Sequence, residues 1–370
     1  MKGNNVLGLI YADAHSVCID QLTALRTMGS VPFGGRYRLI DFPLSNMVNC
    51  GIRKVGVITK SNYQSLMDHI GNGKPWDLSR KNEGLFILPP FTNGSGVYTC
   101  RIDALANIMP FIKKSKEEYV VLSDCNFICN IDIGKIVDKH IASGADITFA
   151  YKEGKIPALE DVMVFDVNSE GVITDVTVPV NPDGDGSYSI NIIVMRKSLL
   201  ERLVNEAVTR GYTSFEKDII RQNVRSLKMT GYRIDGFCPA VDSLKSYFDA
   251  NTALLKEENL KQLFHNGDPV YTKTADDMPA VYGIGASVKN SLIADGCKIE
   301  GTVENSVIFR GVHIEKGAVV KNSIIMHSSF IGADSKLDWV IMDKYGVVRP
   351  RNSLSGAETY PVYIGKSIII

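Results

Sequence analysis

Apolar runs alternate with amphipathic stretches through the first two-thirds of the chain. Val6–Tyr11, Lys54–Thr59, Tyr119–Leu122 and Asp146–Tyr151 are short and apolar, which predicts buried strands. Leu44–Gly51, Gln64–Ile70, Asp103–Lys113 and Ile133–Ser143 carry their apolar residues at helical spacing. Strand, helix, strand order predicts an α/β domain around a mostly parallel sheet covered on both faces. The alternating runs Val162–Val167 and Ile190–Met195 predict less regular strands that widen the sheet. From Ser243 to Phe264 the pattern turns helical and charged, with Leu244, Tyr247, Phe248, Leu254, Leu255, Leu260 and Leu263 on the apolar side. His265–Pro279 is polar, contains two prolines and reads as a linker.

The last part differs in kind. Asn290-Ser-Leu-Ile, Asn305-Ser-Val-Ile and Asn322-Ser-Ile-Ile recur at intervals of 15 and 17 residues, and Asp338-Trp-Val-Ile follows 16 residues later. Gly296-Cys-Lys-Ile and Gly311-Val-His-Ile fall between them. Short strands ending at Gly or Asn turns cannot bury their apolar side alone, but stacked coils share one core. Three hexapeptide turns per coil fit the spacing and predict a parallel β-helix, most simply a scaffold. The expected units are residues 1–242, a helix and linker at 243–279, and the β-helix at 280–370.

Length and charge narrow the function. A chain of 370 residues exceeds what one core usually serves. Its 41 basic and 41 acidic side chains argue against nucleic acid or an anionic membrane as the main partner. No run is long and apolar enough for a membrane span, and the N-terminal apolar stretch is too short for a signal peptide. Seven scattered cysteines, of which only Cys125 and Cys129 lie close together, suggest neither a zinc site nor a disulfide framework. A cytoplasmic location is expected.

The most informative stretch is Val31-Pro-Phe-Gly-Gly-Arg-Tyr-Arg-Leu-Ile-Asp-Phe-Pro-Leu-Ser-Asn46. Pro32 is expected to end a strand, and Gly34-Gly35 to permit close backbone approach. Arg36 and Arg38 alternate on one side, and Asp41 could pair with one of them. Leu44-Ser-Asn46 would start a helix whose free amides could face an anion. A tight turn with a structural Arg–Asp pair explains the same residues equally well.

This stretch resembles the early motif of the glucose-1-phosphate adenylyltransferases, the ADP-glucose pyrophosphorylase family. Asn49-Cys-Gly-Ile, Ser214-Phe-Glu-Lys-Asp-Ile-Ile220 and Val241-Asp-Ser with Ser246-Tyr-Phe-Asp-Ala-Asn251 resemble further family segments. The resemblance spans nearly the whole chain. It implies a Rossmann-like (GT-A-like) nucleotidyltransferase domain with a mixed sheet, followed by a left-handed β-helix. The implied reaction is attack of glucose 1-phosphate on the α-phosphate of ATP, with release of pyrophosphate. It needs a glycine-rich loop for the triphosphate, cationic side chains, two Asp holding Mg²⁺, and a Lys in a Glu-Lys-Pro segment for the sugar phosphate.

Much of that set is missing. The glycine-rich loop aligns on Tyr11–Thr23, where Asp13, Ala14 and Ser16 replace glycines and Cys18 lies within the same loop. Met28 stands where the family has a cationic Lys, Cys100-Arg-Ile102 replaces Gly-Thr-Ala, and Val178-Pro-Val180 replaces Glu-Lys-Pro. The resemblance puts one metal Asp on Asp218. The other falls on Asp124, Cys125 or Asn126, depending on the alignment. Losing one preorganised electrostatic contact costs on the order of 10²–10³ in rate. Several losses together imply a chain that is weak or inactive alone, with no cofactor bound, or Mg²⁺ if active.

A degraded site on an intact scaffold resembles the family's D-type regulatory branch. That resemblance implies a partner, the catalytic subunit, in a hetero-oligomer (a tetramer), active as a complex and modulated by a sugar-phosphate effector. Gly34, Gly35, Arg36, Arg38, Arg101 and Lys217 are candidate anion or sugar-phosphate contacts, and Arg196 is a further candidate cation. His313 and His327 are expected at the β-helix surface or in its turns. Trp76 is expected to pack a loop over the old cleft, and Trp339 to be core or interface. Two other readings stay open: a self-sufficient adenylyltransferase using Asp124 and Asp218, and, more weakly, a β-helix acyltransferase.

Overall fold

The computed structural model describes residues 3–14, 16–90, 98, 100–265 and 267–370, without the side chains of Asn4, Ser16 and Val17. The N-terminal sheet runs, in spatial order, Met229–Arg233, Ile147–Lys155, Asp185–Arg196, Tyr119–Asp124, Val6–Tyr11, Lys54–Ile58 and Gly84–Leu88. Val6–Tyr11 pairs in parallel with both Lys54–Ile58 and Tyr119–Asp124. Asp185–Arg196 is antiparallel to both its neighbours, so the sheet is mixed. Strand alternation divides the core: Val6 and Ile10 pack on one face, Leu7, Leu9 and Tyr11 on the other.

Helix boundaries moved where local chemistry interrupts the periodicity. The stretch expected as one helix at Asp103–Lys113 is two, Arg101–Asn107 and Met109–Lys114. Pro110 sits in the first turn of the second helix, where its missing N–H costs nothing. The expected helix over Ser243–Phe264 is also two, Leu244–Ala253 and Glu257–Phe264, separated by an extended Lys256. Ser243 caps the first by accepting from the Ser246 amide.

The glycine pair forms a hairpin tip. Pro32–Phe33 begins, rather than ends, a strand, and pairs antiparallel with Tyr37–Arg38. Gly34 and Gly35 take φ of 58° and 83°, a region costly for other residues. The helix after the hairpin starts at Asp41, so the Leu44 amide already bonds the Ile40 carbonyl at 3.2 Å. Leu44–Asn46 therefore offer no free helix-end amides. Asn46 instead ties the Cys129 carbonyl and the Ile131 amide.

The C-terminal part is a parallel β-helix of three five-stranded sheets. Asn290, Asn305 and Asn322 occupy one corner with left-handed φ of 42°, 49° and 42°. Their amides form a ladder, Asn290 to Asn305 at 2.7 Å and Asn305 to Asn322 at 3.3 Å. The fourth copy is offset by one residue. Lys321 pairs with Asp338, so Trp339, not Asp338, takes the corner position, with φ of 54°. Asp338 still accepts the last Asn322 amide at 2.9 Å. Trp339 packs 5.5 Å from the Phe248 ring. The N-terminal core thus continues into the β-helix through Phe309, Met326 and Ile341.

Charge also ties the two parts. Arg26 donates through one nitrogen to both Asp343 oxygens at 2.9 and 2.7 Å, and both residues are buried. Tyr363 donates its hydroxyl to the same carboxylate at 3.0 Å. Breaking a buried pair leaves an uncompensated charge. Asp343→Ala should therefore cost about 3–5 kcal/mol of stability. Arg26→Met combined with Asp343→Leu should recover most of it, as measured by denaturant titration. A double variant as unstable as the sum of both singles would contradict this.

Candidate functional site

The strand ends at the carboxyl edge of the sheet open onto a cavity of about 480 Å³. Tyr11, Asp13, Ala14 and Cys18 line it from the Tyr11–Thr23 segment, Tyr98, Cys100 and Arg101 from the helix start opposite, and Thr213–Glu216 from a third side. Asp13 accepts from the Ser61 amide at 3.2 Å, and burial raises its pKa. Burial also raises the Cys18 thiol. Ser16 opens a short 3-10 turn, but its side chain lies outside the described residues. Met28 is fully buried and does not line the cavity.

Arg101 is the centre of this site. Its Nη2 donates to Asp124 Oδ2 at 2.6 Å, its Nε lies 3.5 Å from Glu216 Oε1, and its guanidinium sits 4.6 Å from the Tyr11 ring centroid. Asn191 adds an amide donor to Asp124 Oδ2 at 2.8 Å. Burial opposes the charge of Arg101, but Asp124 and then Glu216 overcome it and raise the pKa. Burial likewise raises Glu216, with Arg101 holding it down. Named from sequence as an anion contact, Arg101 has its charge matched by two carboxylates.

Asp124 and Asp218 each have partners within the chain. Asp218 Oδ2 accepts the Thr213 and Ser214 amides at 3.0 and 2.9 Å, closing its own turn. It does not line the cavity, and a guanidinium already sits on Asp124. Among the described residues, no cluster of three His, Cys, Asp or Glu side chains is arranged to hold an ion. From the Asp218 segment, the carboxylate that lines the cavity is Glu216, two residues before the one sequence selected. Of the other alignment candidates, Cys125 is buried and Asn126 turns its backbone to Val241. Lys217 pairs with Asp161 at 2.9 Å, and Arg196 with Glu118 at 2.5 Å.

A second cleft lies between the hairpin and the β-helix. Arg36, Arg38, Lys273, Arg310 and Lys344 line it with His69 and His327, a volume of about 260 Å³. Arg38 donates to the Ser65 carbonyl at 2.6 Å. Asp41 pairs with His69 Nε2 at 2.6 Å and accepts only the backbone amide of Arg38. Burial and the neighbouring Arg38 and Arg26 lower Lys344 to about 7. His327 lies half-buried in a β-helix turn, as expected, and burial, then the nearby cations, lower its pKa to about 2. His313 is exposed. Trp76 is buried beside His69, ring centroids 6.0 Å apart, and does not line the Arg101 cavity.

Comparison with known proteins agrees with this architecture. A nucleotidyl transferase family profile matches residues 20–257, and a GlmU-like, C-terminal hexapeptide profile matches residues 279–358. The chain is 33% identical over 370 residues to the glycogen biosynthesis protein GlgD of Bacillus subtilis (strain 168), covering 100% of this chain and 98% of that one. It is 38% identical over 321 residues to GlgD of Geobacillus stearothermophilus, covering 86% and 83%. It is 31% identical over 347 residues to the glucose-1-phosphate adenylyltransferase of Bacillus cytotoxicus, 92% of each chain. The chain belongs to the ADP-glucose pyrophosphorylase family. As a member of that family it is GlgD-like, and its Arg101 cavity lies where the family resemblance puts the nucleotide loop. No helix among the described residues is long and apolar enough to cross a membrane.

Replacing Arg101 tests the charge balance. Without its guanidinium, Asp124 and Glu216 stay buried, and the Glu216 pKa climbs further above its unfolded value. A carboxyl raised on folding costs nothing below the ordinary carboxylate range, and its penalty grows as pH rises toward the folded value. Arg101→Met should therefore lose about 3–5 kcal/mol relative to the parent near neutrality. The deficit should shrink as pH falls toward about 4.5. Denaturant titrations across that range would show it, and a pH-independent deficit would contradict the assignment.

Proposed function

We propose that this chain is a regulatory, catalytically impaired subunit of an ADP-glucose pyrophosphorylase in bacterial glycogen synthesis. The observation that carries the reading is the Arg101 guanidinium on Asp124 and Glu216, inside the cavity bordered by Asp13 and Ala14. A magnesium–triphosphate would have to displace an internal cation there and lie against the Asp13 carboxylate, without the amides of a glycine-rich loop. Both effects oppose ATP, and neither affects the packing that homologous subunits use to assemble. Related chains share self-complementary surfaces, so a catalytic homologue is the natural partner. The names of the glucose-1-phosphate adenylyltransferase relatives favour the second reading, a self-sufficient enzyme.

One assay separates the two. The chain alone, given ATP, glucose 1-phosphate and Mg²⁺, should release pyrophosphate at least about a hundredfold more slowly than a catalytic homologue. Mixed with the catalytic chain of its own organism, it should co-purify and change that chain's kcat or KM. Full turnover alone would establish the second reading. Turnover that stays low, with no co-purification, would remove the first.

The cationic cleft is the proposed effector site, suited to a phosphate ester. An anion there favours protonated Lys344. Below about pH 7 Lys344 is already charged, so affinity is at its highest. Above that, binding must take up a proton, and affinity should fall by up to about tenfold per pH unit. Isothermal titration with glucose 1-phosphate or inorganic phosphate from about pH 6 to about pH 9 checks this against Lys344→Met, whose profile should be flatter.

A further inference from the structure

At the opposite edge of the sheet from the Arg101 cavity, where Lys54–Ile58 and Gly84–Leu88 begin, lies another cleft of about 790 Å³. Strand register builds its floor. Lys54 pairs with Gly84 and Gly56 with Phe86, so alternation puts Lys54, Gly56 and Phe86 on one face. A Cβ on Gly56 would meet Phe111 Cε1 at 3.0 Å. Its absence lets the Phe111 ring, from the helix Met109–Lys114, lie against the sheet beside Phe86. The two ring centroids are 5.1 Å apart, with the planes tilted by 56°, and both side chains are half-buried. Lys54 donates to Ser115 Oγ at 2.7 Å. That bond holds its ammonium 4.9 Å from the Phe111 centroid and 5.8 Å from that of Phe86. Lys81, Lys114 and Lys116 line the same cleft and are exposed. None of these three has an ion-pair partner among the described residues. Glu83 and Glu117 also line the cleft, which leaves four cations against two carboxylates.

We propose that this cleft is a binding site for a planar anion, an aromatic or heteroaromatic ring that bears a phosphate. Solvated lysines on a convex surface need no partner. Here they surround a concave floor on which two aromatic rings stay partly open to water, and covering such a floor is favourable. The volume falls within the roughly 300–1,000 Å³ usual for small-ligand sites. A ring entering the cleft packs on Phe86 and Phe111, edge-to-face or offset. Its phosphate meets the ammonium of Lys54, which keeps two N–H donors beyond the one given to Ser115, and the lysines of the rim. Inorganic phosphate alone gains no ring contact, and a neutral ring gains no charge contact, so the site selects for both on one molecule. The assignment does not depend on the regulatory reading, because none of these residues borders the Arg101 cavity or the cationic cleft.

The test uses the full chain and 1-naphthyl phosphate, with inorganic phosphate and 1-naphthol as the two half-ligands. In isothermal titration at constant ionic strength, 1-naphthyl phosphate should bind at least about tenfold more tightly than either half. Lysine acetylation read by peptide mass spectrometry should show Lys81, Lys114 and Lys116 protected when it is bound. Lys114→Glu combined with Lys116→Glu, both on the surface, should weaken binding by about tenfold or more. Equal affinity for 1-naphthyl phosphate and inorganic phosphate would overturn the proposal. So would protection confined to Lys273 and Lys344, which belong to the cationic cleft. The parent chain decides the matter by its protection pattern even if the double variant fails to fold.

Discussion

A guanidinium buried between two carboxylates organises the upper edge of this sheet. Asp124 ends the central strand, Glu216 comes from the short helical segment Phe215–Ile220, and Arg101 starts a helix. Each would be costly to bury alone, and the desolvation of one is offset only by the presence of the others. The aromatic faces of Tyr11 and Phe215, 4.6 and 5.9 Å from the guanidinium, enclose the group. The charges of this site are matched within the chain.

Much of the fold was readable because burial leaves a period in the sequence. The strands Val6–Tyr11 and Tyr119–Asp124 are apolar on both faces, and the β-helix repeats announce themselves through Asn290, Asn305 and Asn322. What escaped was set by single residues. Pro110 divides a periodic helix, Lys256 another, and a one-residue offset moves the fourth repeat from Asp338 to Trp339. Periodicity averages over several positions and cannot register such changes.

The sites were less legible, for a related reason. The loss at Asp13, Ala14 and Met28 could be read off, since missing glycines and a missing cation are local facts. The compensation could not, because Arg101, Asp124 and Glu216 are far apart in sequence and meet only through the sheet. Motif resemblance selected Asp218, whose carboxylate closes its own turn. Arg36 and Arg38 were visible in one short stretch, but Lys273, Arg310 and Lys344 join them only once the coils stack.

The shared core has a mechanical consequence. Phe248 and Trp339 interlock across the boundary, Tyr247 donates to the Pro32 carbonyl at 2.6 Å, and Asn251 holds the Gly34 amide at 3.0 Å. A seam packed this way behaves as a weld and not as a hinge. An anion taken up at the cationic cleft, as proposed above, would then have no rigid-body swing to use.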